Sequence, residues 1–355
     1  MKKLLYLAII ALMVSSCGDD KSDGGSPEPK GFAFNLVSNG RVLTSGESHT
    51  MRIEIPANDV QKVELFLDGR SIWSKSEQLS DNMEYVFETA ALPLGSHRIE
   101  LAVTKKDGKT RKKAVDKVLL AANPPKKRNA TVINSYTHDN QAFTQGLEFY
   151  KGVLFEGTGN RSQSTLRKVN LETGSVDYKI HLDGQYFGEG ITVFNDKVYQ
   201  ITYTSKKGFV YEPDSFKVLK EFTFNTNKAE GWGLTHDSEY LIMSDGSHRL
   251  YFVDTVNFST VKTLEVYSNT GPVNYLNELE YIDGKIYANQ WQSYNVVVID
   301  PQTGAALEQI DLYPLVDELG ETPPEVLNGL AYNRDTKKLY ATGKYWPKLF
   351  EIEIK

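Results

Sequence analysis

The chain has one cysteine, Cys17, among 355 residues, so no internal disulfide can brace it. Its six histidines, at 49, 97, 138, 181, 236 and 248, show no paired ligand spacing. With no second thiol to join them, a structural or catalytic zinc is not expected. The Asp and Asn residues near turns form no calcium-loop pattern, and the reading is of a protein with no metal and no cofactor. Positive charge is also in short supply. A formal net charge of −6 provides no field that would gather phosphates, which excludes nucleic acid as an expected partner. The apolar run from Leu4 to Val14 is too short to span a membrane comfortably, since a crossing helix needs about 20 residues.

That run reads instead as a targeting segment. Lys2 and Lys3 form a basic start, and Val14-Ser15-Ser16-Cys17 has the pattern of a bacterial lipobox. Residues 1–17 are expected to be a lipoprotein signal peptide with lipid attached at Cys17. The protein is then exported and held by its lipid in a bacterial cell envelope, at the periplasmic face or the cell surface. Residues 18–30, rich in Gly, Ser, Pro and Asp, read as a flexible tether.

Glycine is plentiful, 27 residues against 13 prolines, and aromatics reach 11%. Many tight turns between short apolar runs point to an all-β chain. Over residues 31–122 alternating segments such as Met51-Arg52-Ile53-Glu54-Ile55 and Val63-Glu64-Leu65-Phe66-Leu67 are separated by the turn signals Asp68-Gly69, Leu94-Gly95 and Asp107-Gly108. This fits a small immunoglobulin-like β-sandwich. Its basic cluster, Lys105, Lys106, Lys109, Arg111, Lys112 and Lys113, reads as a solvated edge that resists strand-to-strand aggregation. Residues 123–130, with Pro124-Pro125 and then Lys126-Lys127-Arg128, are expected to be a stiff, charged linker.

From residue 131 to 355 the chain repeats. A small or acidic residue followed by an apolar one opens each unit: Gly146-Leu147, Gly190-Ile191, Gly233-Leu234, Glu278-Leu279 and Gly329-Leu330, at intervals of 44, 43, 45 and 51. Each unit has room for four short strands, the pattern of a five-bladed β-propeller. The last unit ends at Leu349 to Ile354 with no outermost strand of its own, while Thr131 to Tyr136 precedes the first unit unpaired. The early strand is therefore expected to complete the last blade and remove an open edge. Innermost strands line the central channel, so the starts of the repeats should converge on one mouth of it.

Those starts carry polar and aromatic residues where packing alone asks for small ones. They read Phe143-Thr144-Gln145-Gly146-Leu147, Phe187-Gly188-Glu189-Gly190-Ile191, Glu230-Gly231-Trp232-Gly233-Leu234, Leu276-Asn277-Glu278-Leu279 and Leu327-Asn328-Gly329-Leu330. Ala288-Asn289-Gln290-Trp291 and Thr342-Gly343-Lys344-Tyr345-Trp346 follow within their units. The ordered set, over about residues 132–355, resembles the plant and bacterial glutaminyl cyclase family. The resemblance implies cyclisation of an N-terminal glutamine to pyroglutamate with loss of ammonia, and peptides or proteins with N-terminal Gln as substrates. It also implies Glu189 as the proton shuttle, and Lys344 and Asn277 as its companions in catalysis. Phe143, Gln145, Phe187, Tyr203, Trp232 and Trp291 would bind the substrate. The family often has tryptophan where Ile201-Thr202 leads into Tyr203, so the added hydroxyl bears on substrate range.

Other residues have plainer readings. Trp346 is expected between blades as core. Glu278 and Glu280 are either site residues or salt-bridged supports. Two other functions fit the fold, a metal-dependent propeller lactonase and a non-catalytic surface propeller that binds peptides or glycans. The chain is expected to be a monomer.

Overall fold

The computed structural model describes residues 32–38, 40–320 and 322–355. The expected signal peptide, its Cys17 and the tether lie outside these residues. What is described is all-β apart from one short helix, Tyr313–Leu319, and one 3-10 turn, Ala57–Asp59.

The first part of the chain builds two sheets. Strands Asn35–Ser38, Ser48–Glu54 and Asn82–Glu88 form a three-stranded sheet. A five-stranded sheet runs in the order Val42–Thr44, Thr110–Leu120, Gly95–Lys105, Val60–Leu67, Arg70–Lys75. Alternating side chains from both sheets, including Met51, Ile53, Val63, Leu65, Ile99 and Leu101, meet in one core, as period-two patterning requires. Asp68 and Gly69 both take positive φ (48° and 82°), the geometry that two-residue hairpin turns demand. Leu94-Gly95 is not the turn expected from sequence. It is a docking point, because a Cβ on Gly95 would fall 2.3 Å from the Glu265 carboxylate, and the Leu94 and Ser96 amides donate to Thr303 O and Glu265 Oε2 at 2.7 and 2.8 Å. Tyr267 completes the core of the two sheets from the far side of this contact.

The rest of the described chain makes four-stranded units. Three are separate sheets whose innermost strands are Thr144–Tyr150, Gly188–Phe194 and Leu234–His236. The remaining two, with innermost strands Leu276–Ile282 and Leu327–Asn333, are joined into an eight-stranded sheet by the long strand Lys126–Thr137. Apolar clusters fill the space between successive units, and the last of them packs Ala331, Tyr340 and Leu349 against Leu147, Phe149 and Leu154. The ring thereby closes, and the architecture is propeller-like.

Closure also runs through the backbone. Residues 130–137 pair antiparallel with Lys348–Ile354, for instance Tyr136 with Leu349 and Val132 with Ile352, as the unpaired strand before the first repeat suggested. The linker expected over 123–130 is corrected here, because from Lys126 onward it is strand, parallel to Glu308–Asp311. Its charges have partners there: Arg128 reaches Glu308 at 3.2 and 3.3 Å, and Lys127 donates to Gln309. A segment with its backbone groups paired in this way has no freedom to act as a spacer.

Three repeat glycines explain how the innermost strands come so close. A Cβ on Gly146 would lie 2.6 Å from Ile191 N, one on Gly190 2.4 Å from Leu234 N, and one on Gly233 2.0 Å from Asn277 O. In the fourth unit Glu278 stands at the equivalent position. Its carboxylate accepts from the Leu330 and Leu147 amides at 2.9 and 3.4 Å, tying the fifth and first units across the channel.

Candidate active site

The innermost strands slip register at one end of the channel. The slips fall between Thr144 and Gly146, Gly188 and Ile191, Leu276 and Leu279, and Leu327 and Leu330. Extra residues on one strand of a pair form a β-bulge, which leaves them out of the ladder and re-aims their side chains. The residues so released include Gln145, Glu189, Asn277, Glu278 and Asn328. In the third unit Trp232 stands at this level, its amide bonded to Ser244 O at 3.0 Å.

Here lies a cavity of about 270 Å³ lined by Phe143, Gln145, Phe187, Glu189, Tyr203, Trp232, Asn277, Trp291, Glu325, Val326 and Lys344. Every candidate catalytic and substrate-binding residue from the sequence is among them. Of the lining, Glu325 and Val326 were missed. They come from the loop before the last innermost strand, which has no counterpart in the other repeats and so gave no periodic signal.

The wall is a continuous run of rings. Tyr345 meets Phe143 at 5.3 Å, Phe143 meets Phe187 at 5.9 Å, and Phe187 meets Tyr203 at 5.9 Å. Tyr203 then meets Trp232 at 6.5 Å, and Trp232 meets Trp291 edge-on at 5.4 Å. Such edge and tilted pairs hold one another's orientation. Gly159 makes room for the first of them, since a Cβ there would sit 2.5 Å from Phe187 and 2.9 Å from Phe143.

At the floor, Glu189 is 5% exposed. Burial pushes its carboxyl well above the usual carboxylate range, Lys344 pulls it down, and Glu230 adds to the rise. Lys344, also 5% exposed, has its pKa lowered by burial, against the pull of Glu189 and Glu325. Its ammonium sits 4.6 Å from the Phe143 ring centre, a cation–π contact that suits a desolvated charge. Gln145 Oε1 accepts from Asn328 Nδ2 at 3.2 Å, which fixes its amide. Trp346 is core, as expected, and its indole donates to Glu325 O at 2.8 Å, so it also holds the loop at the mouth.

The chemistry available is proton transfer by a carboxyl of raised pKa beside an ammonium, with amides to orient a small polar group. Among the described residues no group of three or more His, Cys, Asp or Glu is placed to hold a metal ion. The fold and site together define a propeller-like protein with a carboxyl, an ammonium and amides gathered in one aromatic-walled cavity.

The comparisons with known proteins are specific. The family model for glutamine cyclotransferase matches residues 101–354, beginning inside strand Gly95–Lys105 rather than near residue 132 as the motifs suggested. The chain is 39% identical over 229 residues to the glutaminyl-peptide cyclotransferase of Arabidopsis thaliana, covering 63% of this chain and 71% of that protein. It superposes on the crystal structure of Myxococcus xanthus glutaminyl cyclase with a TM-score of 0.61 at 36% identity, over 65% of this chain and 98% of that one. The chain belongs to the glutamine cyclotransferase family.

Proposed function

We propose that the protein is a glutaminyl-peptide cyclotransferase in which Glu189 carries the protons. The observation that carries the reading is Glu189 itself, a buried carboxyl opposite Lys344 at the floor of an aromatic-walled cavity. The α-amine of an N-terminal Gln attacks its own γ-amide carbon, which forms the ring C–N bond. The nucleophile is already tethered, so the enzyme gains most by holding a reactive conformer. The aromatic walls clasp the methylenes and keep water out, while Gln145 and Asn277 orient the amide and amine. Lys344 faces the carbonyl oxygen as negative charge develops there. Glu189 takes the proton from the attacking nitrogen and gives it to the departing one. The old C–N bond breaks, and ammonia and a pyroglutamyl peptide are the products.

Further parts of the reading rest on other observations. The apolar clusters between successive units support five blades. Two sheets packed on one core support an immunoglobulin-like sandwich in front of them. The sequence around Cys17 supports a lipid anchor in a bacterial envelope.

Incubating the full chain with a peptide bearing N-terminal Gln should give a loss of about 17 mass units, the mass of ammonia, insensitive to chelator. Loss of activity with chelator overturns this mechanism in favour of a metal-dependent hydrolase. No turnover leaves a binding propeller.

A further inference from the structure

Glu230 has no part in the reaction as written, yet it stands against two of the wall residues and acts on Glu189. It lies in the segment that leads into the strand Leu234–His236. The segment is stapled in place. The Thr226 hydroxyl donates to Glu230 O at 2.7 Å and accepts from Glu230 N at 3.1 Å, and Gly231 N donates to Tyr203 O at 2.8 Å. A Cβ on Gly231 would lie 2.6 Å from the Phe224 ring and 3.0 Å from Thr202 O, so the backbone at Glu230 has little room to shift.

From this fixed base the side chain turns to the wall. Its Oε2 accepts from Trp232 Nε1 at 2.9 Å. It also faces the Tyr203 phenol, whose pKa is raised by burial and then by the charge and hydrogen bonding of Glu230. One carboxylate thus joins the rings contributed by the second and third units. The charged groups that act on Glu189 are Lys344, which favours its ionised form, and Glu230, which disfavours it. Tyr203 is a neutral phenol. Lys228, the other cation nearby, is 5.9 Å from the Trp232 ring centre and bonded to Gly246 O.

We propose that Glu230 is a positioning residue for the cyclisation: its carboxylate, held by the fixed backbone of its own segment, accepts from Trp232 Nε1 and so fixes the Tyr203–Trp232 corner of the wall. The inference rests on the cyclotransferase reading above. The role depends on the reach of an acceptor and not on its charge, so substitution can tell the two apart.

The test uses the full chain and a Gln-Ala peptide, with kcat and KM measured across pH. Glu230→Gln keeps an acceptor for the indole and removes the charge. It should leave KM within about twofold. Glu230→Asp keeps the charge and shortens the reach, so KM should rise roughly fivefold with kcat within about twofold. A rise of KM in Glu230→Gln as large as in Glu230→Asp overturns the inference, because an acceptor at full reach would then not suffice. If Glu230→Gln does not fold, Glu230→Asp and Tyr203→Phe decide, and an unchanged KM in both overturns the inference. Wild-type protein and Glu189→Gln are assayed alongside. A wild type without turnover sinks the cyclotransferase reading, whereas turnover with an unchanged KM in Glu230→Asp sinks only the role given to Glu230.

Discussion

At the mouth of the channel Glu189 is buried and its pKa is raised, first by burial. Two residues beyond the glycine level, Glu148 and Glu280 are buried in the same channel, and burial raises them too, Glu148 to about 7 and Glu280 well above its ordinary value. The surroundings differ. Glu148 accepts from the Thr192 hydroxyl at 2.9 Å and Glu280 from Tyr332 N at 3.3 Å, bonds that hold them to neighbouring strands. Glu189 faces a cavity with an ammonium opposite and aromatic rings around it. A perturbed carboxyl therefore does not locate chemistry by itself. Neither does a cavity with a cation, since Glu148 lines one of about 340 Å³ together with Arg334; what sets Glu189 apart is a continuous wall of rings with the amides of Gln145 and Asn277 beside it.

The sharpest way to break this comparison is to neutralise both kinds of carboxyl. Glu189→Gln should lower kcat by on the order of 10²–10⁴, as expected for loss of an acid–base group, while the melting temperature holds or rises. Glu148→Gln should leave kcat within about threefold, because it lines a separate cavity and not the one that holds Glu189. If the two variants lost activity equally, measured by ammonia release, the two ends of the channel would not be distinct.

Lys344→Met removes the ammonium of the Glu189 cavity and leaves Arg334, the cation that acts on Glu148 and Glu280. We expect kcat to fall by about 10²-fold with a smaller change in KM, the pattern for a group that acts mainly in the transition state. A rise in KM alone would make Lys344 a binding residue.

Between the two levels, Gly233→Ala should cost stability more than chemistry. Its Cβ would meet Asn277 O at 2.0 Å, and forcing two innermost strands apart should cost about 3 kcal/mol, read from the urea midpoint.

The smallest effect concerns pH. With the folded pKa of Glu148 raised to about 7 from 4.5, the folded state keeps a proton that the unfolded chain has already lost. Stability is therefore greatest below about pH 4.5 as far as this group is concerned, falls between there and about 7, and stays reduced above. Glu148→Gln should flatten this part of the profile by on the order of 2 kcal/mol in urea unfolding at pH 5 and pH 8. An unchanged slope would mean that Glu148 does not titrate alone.

The opposite sign applies where the two parts of the chain meet. Glu265 accepts from Ser96 N at 2.8 Å and from Arg249 at 2.8 Å. The His248 imidazole, whose Nε2 lies 3.5 Å from Glu265 Oε1, has the largest effect, and these contacts follow in holding the carboxyl near 2. Its contribution is present above the ordinary carboxylate range and is lost as pH falls toward 2.

Much of the site was legible because its signals are local. Gln145, Glu189, Trp232 and Asn277 stand at the same place in successive repeats, beside a small or acidic residue and then an apolar one. The closing strand could be inferred from an unmatched unit at each end. The linker was misread because parallel pairing of Lys126–Asn129 with Glu308–Asp311 leaves no mark within eight residues of proline and basic side chains. The even reading of Glu278 had the same origin, since Asn277-Glu278 and Gly188-Glu189 look alike until the partners of each carboxylate are known.

The sequence by itself determined the repeat, its turn chemistry and the residue types that reach the channel, because periods and local propensities act within a few residues. Only the tertiary structure decided that the bulges release Gln145, Glu189 and Asn277 toward one cavity, that the Glu278 carboxylate accepts from strand amides, and that Glu230 is held against Trp232. The physical reason is that register between strands and the burial of a charge depend on groups far apart in the chain. Glu189 and Lys344 stand 155 positions apart, and their effect on one another exists only when the ring closes.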